Sequence, residues 1–304
     1  MQGGDGLYLI MRSLDYYILD VFTNEPYKGN PLSVVWCEQD LELHQYHAIA
    51  REFGYSETSF VIYSSADKAF RVRSFTPGDF EVAGAGHNLL GAVCLAVLKE
   101  WDIFREQEGR QWVIMKTEKI PLHVTIEKGL PFVALQQRPA VVARTVPAEI
   151  IAKAVGLDPA ALSLSDWEPA VVSTAVAHLM VPVRTSDFLK QAVPNKTLLK
   201  QASEKYGFEG CYLFTTDKKD GHYLAETRFF NPGIGIDEDA ATGTAAGPLA
   251  GYLRQLQFIS PDQEYEILQG VQVGHPSTIR VRVSDEGVWV SGSSVIVMEG
   301  TLVI

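Results

Sequence analysis

One phrase of this sequence occurs twice, about 150 residues apart, and no other feature constrains the fold as much. The first copy, RSFTPGDFEVAGAGHN, covers residues 73–88, and the second, RFFNPGIGIDEDAATGTA, covers residues 228–245. In each copy an acidic residue stands five positions before a Gly that opens an apolar, helix-like run, and the pairs are Glu81 with Gly86 and Glu238 with Gly243. His87 and Thr244 are therefore counterparts, and the chain is predicted to consist of two similar halves.

Short runs of β-branched and aromatic residues between turn residues predict strands in both halves. The first-half strands begin near residues 16, 32, 58, 69, 111 and 121, with a helix between the second and third. The apolar runs from His87 and Thr244 are typical of buried helices. The stretches FGYSETSFVIY and YGFEGCYLFTT also align, with Glu57 opposite Glu209. Strands in runs without regular helical crossovers favour an α+β duplication, with a curved set of strands around one hydrophobic helix in each half.

Bulk composition limits the class of protein. The 304 residues, 46% of them apolar, are enough for about two domains. A net charge of -11 argues against nucleic acid or an anionic membrane as partner. The three cysteines stand far apart in apolar runs, which predicts reduced core thiols, and no metal-binding pattern is present. No long apolar run or export signal precedes the fold, so we expect a cytoplasmic protein, with residues 1–10 as a leader or alternative start ahead of Met11.

The chain is predicted to cross between the halves in the segment LPFVALQQRPAVVART, which begins at Leu130 and contains Pro131 and Pro139. We therefore expect a first domain of residues 14–129 plus a returning strand at 289–304, and a second domain of residues 130–288.

The repeated glycines suggest a binding site. A Gly directly before a helix permits close approach, and the first helical turn leaves N–H groups unpaired at a positive dipole end, where anions bind. If the halves pack face to face, the Gly86–His87 and Gly243–Thr244 amides converge on one small carboxylate-bearing ligand. The alternative is that each Gly serves packing only, but two matched instances favour a site.

Titratable residues lie near these glycines in the sequence. Glu57 begins an apolar strand, where partial burial would raise its pKa and let it take and return a proton near neutral pH. A solvated Glu at a strand end is an equally good interpretation of the same pattern. The acidic run Asp237, Glu238 and Asp239 precedes the second helix. His44 and His47 lack a third ligand, and the motifs of nucleotide-binding loops, serine hydrolases and zinc proteases are absent, so no metal or cofactor is expected.

Several ordered motifs carry a family resemblance: DVFTNEPYKGNPLSVV from Asp20, SETSFV from Ser56, FTPGDFEVAGAGHNLLGA from Phe75 and FNPGIGIDEDAATGTAAGPLAGYL from Phe230. With them the sequence resembles the PhzF-like isomerases, a family related in fold to diaminopimelate epimerase. The resemblance implies two pseudo-symmetric domains, each a barrel-like, mostly antiparallel sheet around a central hydrophobic helix, with the site between them. It also implies a cofactor-free proton shift at carbon and a possible homodimer.

The resemblance also implies roles for individual residues. Glu57 would carry the proton, His87 and Asp239 would position polar substituents, and Thr244 would stand where the family has Ser. The further residues expected to bind substrate are Gly86, Asn88, Gly243, Asn30 and Ser56. His275 stands where family members often have Arg. Racemases of this fold use two cysteines, which would fall on Ala85 and Thr242, so a two-thiol racemase is excluded.

The function predicted from the sequence is an isomerase that acts on a small, cyclic or unsaturated carboxylate. One alternative is a non-catalytic metabolite-binding protein that has kept the paired helix starts. Another is a hydrolase that uses Thr244 or Ser56 with His87.

Overall fold

The computed structural model describes residues 12–64, 69–82, 84, 86–101, 109–162, 166–217 and 222–304. The elements up to the middle of the chain are β1 (Ser13–Val21), β2 (Asn30–Cys37), α1 (Leu43–Phe53), β3 (Thr58–Ser64), β4 (Ala69–Phe75), β5 (Glu81–Val82), α2 (His87–Leu98), β6 (Gly109–Met115), β7 (Glu118–Glu127) and β8 (Leu130–Gln137). The remaining elements are β9 (Val141–Thr145), α3 (Ala148–Val155), β10 (Ala170–Ser173), β11 (Ala177–Pro182), α4 (Ser186–Gln191), α5 (Lys196–Tyr206), β12 (Gly210–Thr215), β13 (Ala225–Asn231), β14 (Ile236–Asp239), α6 (Gly243–Gln255), β15 (Glu264–Gln269), β16 (Ser277–Ser284) and β17 (Gly287–Val303). Short 3-10 turns cover Pro159–Leu162 and Pro232–Ile234.

The first lobe is a closed ring of eight strands in the order β1-β2-β3-β4-β6-β7-β8-β17, and β17 pairs again with β1. Its pairs are antiparallel except β2–β3 and β4–β6, which are parallel. A helix joins each of these two pairs because parallel neighbours need a long crossover connection. Helix α2 contacts β1, β2, β3, β4, β8 and β17. It therefore lies inside the ring, as its nearly all-apolar sequence predicted.

The second lobe repeats this arrangement. Strands β10 to β13 pair in sequence, β15, β16 and β17 continue the sheet, and β11–β12 and β13–β15 are its parallel pairs. Helix α6 contacts β9, β10, β11, β16 and β17, and ten of its thirteen residues are buried. The predicted α+β fold, with two similar lobes around hydrophobic helices, is confirmed.

Strand β17 joins the lobes. Its start pairs with β16 of the second lobe through residues 287–291 and with β8 through residues 288–293, and its remainder, from Ser294 to Val303, pairs with β1 of the first lobe. Strand β8 pairs with β7 on its other side and leads after three residues into β9 of the second lobe. The sheet thus continues through the junction, and the domain limits of 14–129 plus 289–304 and 130–288 stay a prediction.

The repeated phrase forms the same ion pair in both lobes. Arg73 donates from Nε and Nη2 to the two oxygens of Glu81, at 2.9 and 3.0 Å. Arg228 holds Glu238 in the same way, at 2.9 and 2.7 Å. Such bidentate pairs combine charge with fixed geometry. Each therefore fastens the short strand that precedes a buried helix to the neighbouring long strand.

The three cysteines are free and buried, as predicted. Burial raises the pKa of Cys94 to about 12, so the thiol is inert near neutral pH. Within the described ranges, no helix has both the length and the apolar character needed to cross a membrane. Nor do the described His, Cys, Asp and Glu side chains form a cluster of three that would hold a metal ion.

Candidate active site

A cavity of about 290 Å³ lies between the lobes, at the N-terminal ends of α2 and α6. Its size suits a small molecule, since ligand pockets begin near 300 Å³. Eight of the nine residues predicted for the site line it: Ser56, Glu57, Gly86, His87, Asn88, Asp239, Gly243 and Thr244. The ninth, Asn30, lies behind one of its walls.

The two helix starts meet in this cavity. A Cβ placed on Gly86 would lie 3.5 Å from Cγ2 of Thr244, and one on Gly84 would lie 3.6 Å from the same methyl group. The glycines of the first lobe thus give the Thr244 side chain room to approach. The predicted convergence of the two helix N-termini is confirmed.

Glu57 lies between α1 and β3, directly before the buried start of that strand. Its side chain is 18% exposed, and Oε2 is buried with no hydrogen-bond partner in the described part of the chain. Burial and, to a lesser extent, the nearby charge of Asp239 together raise the pKa of Glu57 to about 8. The solvated alternative for this Glu is therefore wrong.

His87 is the first residue of α2 and faces Glu57, with Nδ1 3.8 Å from Glu57 Oε2. Burial lowers the pKa of His87 to about 4, so the ring is neutral at pH 7. Its Nε2 is also buried and lacks a partner among the described residues. Buried polar groups are usually satisfied, so an acid and an imidazole with unused hydrogen-bonding capacity mark a place for a ligand.

Asp239 ends β14 and contributes a carboxylate from the second lobe. Thr242 Oγ1 donates to its Oδ2 at 2.5 Å, and Asn30 Nδ2 donates to its Oδ1 at 2.8 Å. Burial raises the pKa of Asp239 to about 6, while these two hydrogen bonds oppose the shift. Asp239 is therefore mostly ionised at pH 7, and its charge favours the protonated form of Glu57.

Asn30 was predicted to bind substrate, but the structure gives it another task. Its amide nitrogen donates to Asp239 and to the carbonyl of Ala241, at 2.8 Å in both cases. The side chain is buried and reaches from the first lobe to the second. Asn30 thus orients Asp239 from behind and has no further donor in contact with the cavity.

The prediction that the amides of both helix starts bind one ligand needs a correction at Gly86. Asn88 Oδ1 accepts from the amides of Gly86 and Leu89, at 2.8 Å each, and its amide nitrogen donates to the carbonyl of Gly84 at 3.2 Å. The N–H of Gly86 and the side chain of Asn88 therefore hold the loop in shape. The amides of His87 and Thr244 still lie in first turns, where an α-helix supplies no acceptor.

The second lobe contributes pocket residues that the sequence did not single out. They are Val176, His178, Phe229, Asn231, Ile234 and Ile236. Glu209, which the sequence had aligned with Glu57, also lines the cavity and also stands directly before the second strand of a parallel pair. Burial raises the pKa of Glu209 as well. His178 is the most buried polar residue of this group. Its position beside the cavity follows from its pairing with Gly210 in the parallel β11–β12 pair, which no sequence motif indicates.

Comparison with known proteins agrees with this geometry. The family model described as Phenazine biosynthesis-like protein, PhzC-PhzF, matches residues 19–300. The chain belongs to this family. This PhzF-family chain is 31% identical over 292 residues to a trans-2,3-dihydro-3-hydroxyanthranilate isomerase of Pseudomonas aeruginosa. The aligned region covers 94% of this chain and 98% of that protein.

Solved structures show the same fold. A predicted epimerase from Pseudomonas aeruginosa has a TM-score of 0.80 and 30% identity, with 95% of this chain and 99% of that one covered. A PhzF-family protein of Bacillus anthracis has a TM-score of 0.85 and 24% identity, with 97% and 100% covered, and it supports the fold alone. The relationships identify the PhzF-family chain as an isomerase.

Of the two positions expected to carry thiols in racemases of this fold, only Thr242 lies among the described residues. Thr242 Oγ1 donates to Asp239 and accepts from Gln269 Nε2 at 3.0 Å, so it links the Asp239 carboxylate to Gln269. The other position, Ala85, lies outside the described residues. Neither residue has a thiol that could exchange a proton.

Proposed function

We propose that this PhzF-family protein moves a proton between carbon atoms of a small cyclic, unsaturated carboxylate, with side chains alone as the acid and base. One observation carries the proposal: Glu57 is a buried carboxyl group on the pocket wall, and burial raises its pKa to about 8. A group with a pKa near the working pH both accepts and returns a proton efficiently.

The proposed step keeps electrons and protons balanced within the substrate and one side chain. The Glu57 carboxylate takes a proton from an sp³ carbon, and the C–H electron pair moves into the adjacent π system. The acidic proton on Glu57 exchanges with solvent, and protonated Glu57 then delivers a proton to the far carbon of that system, so that a double bond changes place. General acid–base action of this kind contributes roughly 10²–10⁴-fold to the rate.

The surrounding groups suit the charge that develops. The first-turn amides of His87 and Thr244 point from positive helix ends at which a carboxylate or an enolate-like oxygen is stabilised. His87 is neutral and lies 3.8 Å from Glu57, where it would position a polar substituent without competing for the proton. The relative named for a dihydro-hydroxyanthranilate supports a cyclic acid of this kind as the substrate class.

Proton transfer is tested in heavy water with cyclohexadiene carboxylates that carry a 2-amino or 2-hydroxy group. The wild type should place deuterium on a ring carbon, observable by NMR and mass spectrometry, and Glu57→Gln should not. Glu52→Gln is the matched control, because Glu52 is an exposed carboxylate five residues earlier on α1. Full turnover by Glu57→Gln would refute the assignment.

The same experiment separates the alternatives. Binding that is equal before and after Glu57→Gln, without deuterium in the ligand, would indicate a non-catalytic metabolite-binding protein. Covalent capture of Thr244 or Ser56 by an acylating probe would indicate a hydrolase. A homodimer and a cytoplasmic location stay predictions from the sequence, and light scattering of the purified protein tests the first.

A further inference from the structure

We propose that His178 determines substrate specificity from the second lobe, where its Nε2–H donates a hydrogen bond to a ring hydroxyl or carbonyl oxygen of the substrate. The inference rests on the proposed function in one respect, namely that a small cyclic carboxylate occupies the pocket between the lobes.

The proton position on the His178 ring follows from its neighbour. His178 lies near the start of β11, lines the cavity and is 2% exposed. Its Nδ1 accepts a hydrogen bond from the N–H of Gly210 at 3.2 Å. A ring nitrogen that accepts from an N–H carries no proton, so the neutral ring has its proton on Nε2.

That Nε2–H finds no acceptor within the described ranges of the chain. The atom is buried and without a hydrogen-bond partner among the residues that the structure describes. Burial lowers the pKa of His178 to about 3, so the ring stays neutral at physiological pH. An unsatisfied buried donor calls for an explanation, and in a pocket wall a ligand oxygen provides one.

The ring is also held in a fixed orientation. Phe229 packs against it edge to face, with ring centroids 5.2 Å apart and planes at 87°. Gly210 makes this packing possible, because a Cβ there would lie 2.1 Å from Phe229 Cζ and 3.2 Å from His178 Nδ1. A donor fixed in this way selects by geometry as well as by chemistry.

The first lobe has a different pair at the same place in the fold. In its β2–β3 pair Ser33 stands opposite Thr58, and their hydroxyls bond each other at 2.6 Å. In the β11–β12 pair of the second lobe His178 stands opposite Gly210. In the first lobe the two side chains at this position thus satisfy each other, whereas in the second lobe the His178 Nε2–H has no partner among the described residues and can bond a ligand.

The chemistry of the donor sets the preference. A hydroxyl or carbonyl oxygen has a lone pair to accept from Nε2–H, whereas an ammonium group has none. 3-Hydroxyanthranilate and anthranilate are suitable probes, because they differ by one hydroxyl and have no sp³ C–H to react. The former keeps the carboxylate, amine and hydroxyl of the compound for which the Pseudomonas aeruginosa relative is named.

The test measures both dissociation constants by calorimetry for wild type, His178→Phe and His178→Gln. Wild type should bind the hydroxy acid at least about tenfold more tightly, one bonded hydroxyl being typical of such a preference. His178→Phe should lose the preference, and His178→Gln should keep part of it because its amide still donates. His44→Gln, an exposed histidine on α1, should leave it unchanged.

Each outcome is informative. An undiminished preference in His178→Phe, or an equal loss of affinity for both acids, would overturn the role of His178 while heavy-water exchange by the wild type upheld the proposed function. A wild type that neither binds these acids nor exchanges deuterium would overturn both. If His178→Phe does not fold, His178→Gln provides the test: a reduced preference for the hydroxy acid supports the role of His178, and an unchanged preference overturns it.

Discussion

Replacement of Glu57 by Gln should change how the stability of the fold depends on pH, in addition to removing activity. Glu57 is mostly inaccessible, and burial raises its pKa from 4.5 to about 8 in the folded protein. In the unfolded chain the same carboxyl group titrates near its ordinary value. Gln has nearly the same shape and does not titrate, so the variant isolates the contribution of the proton.

The magnitude follows from these two values. Below about pH 4.5 both states hold the proton, and the stability that it confers is fully present. Between 4.5 and about 8 the folded state binds one proton more than the unfolded state, so stability falls as the pH rises. The loss is about 1.4 kcal/mol per pH unit, or about 5 kcal/mol over the whole interval.

Urea unfolding of wild type and Glu57→Gln between about pH 5 and 8.5 measures this difference. The free energy of unfolding of wild type relative to the variant should fall with the slope given above and level off near pH 8. Other titrating groups are shared and largely cancel, and Glu52→Gln should run parallel to wild type. If Glu57→Gln also runs parallel, Glu57 is not desolvated, and the basis of its proposed role is lost.

Three further changes test other parts of the site and its frame. Asp239→Asn should lower the pKa of Glu57, because it removes a charge that raises that pKa, and the corresponding limb of the pH profile of kcat/KM should move to lower pH. Arg228→Ala should cost about 3–5 kcal/mol in chemical denaturation, since it leaves the mostly buried carboxylate of Glu238 unpaired. Gly251→Ala should destabilise α6 by about 1–3 kcal/mol, because the new methyl would lie 2.0 Å from Cβ of Ala140. Ala140→Gly in the same chain should recover much of that loss in a thermal melt.

Elements with a strong local pattern were predictable from the sequence. The apolar run from His87 is α2, and the run from Thr244 is α6, which begins one residue earlier. The predicted strands of the first half also begin within a few residues of the observed strands. These features depend on side-chain periodicity and turn residues along a short stretch of chain, so one sequence is enough to reveal them. Helix α4 has only six residues, too few for such a pattern, and was missed.

Features that depend on distant pairing were not predictable in the same way. Asn30 and Asp239 are 209 residues apart, and only the docking of the lobes makes one the hydrogen-bond donor of the other. In the loop before α2 the Gly86 N–H donates to Asn88 Oδ1, so this amide has a partner that its place at a helix start does not indicate. The position of His178 beside the cavity follows from the register of two parallel strands, which no short motif encodes.

The duplication provides a symmetric frame, but the chemistry within it is asymmetric. Both lobes keep the Arg–Glu ion pair and the buried helix. The buried proton carrier, Glu57, belongs to the first lobe only, and Asp239, whose charge raises the pKa of Glu57, belongs to the second. Neither lobe alone would give Glu57 the same pKa. Asn30 fastens Asp239 across the boundary, and β17 runs through both lobes. The strength of the acid is therefore a property of the docked pair, and separation of the lobes would bring the pKa of Glu57 back toward its ordinary value.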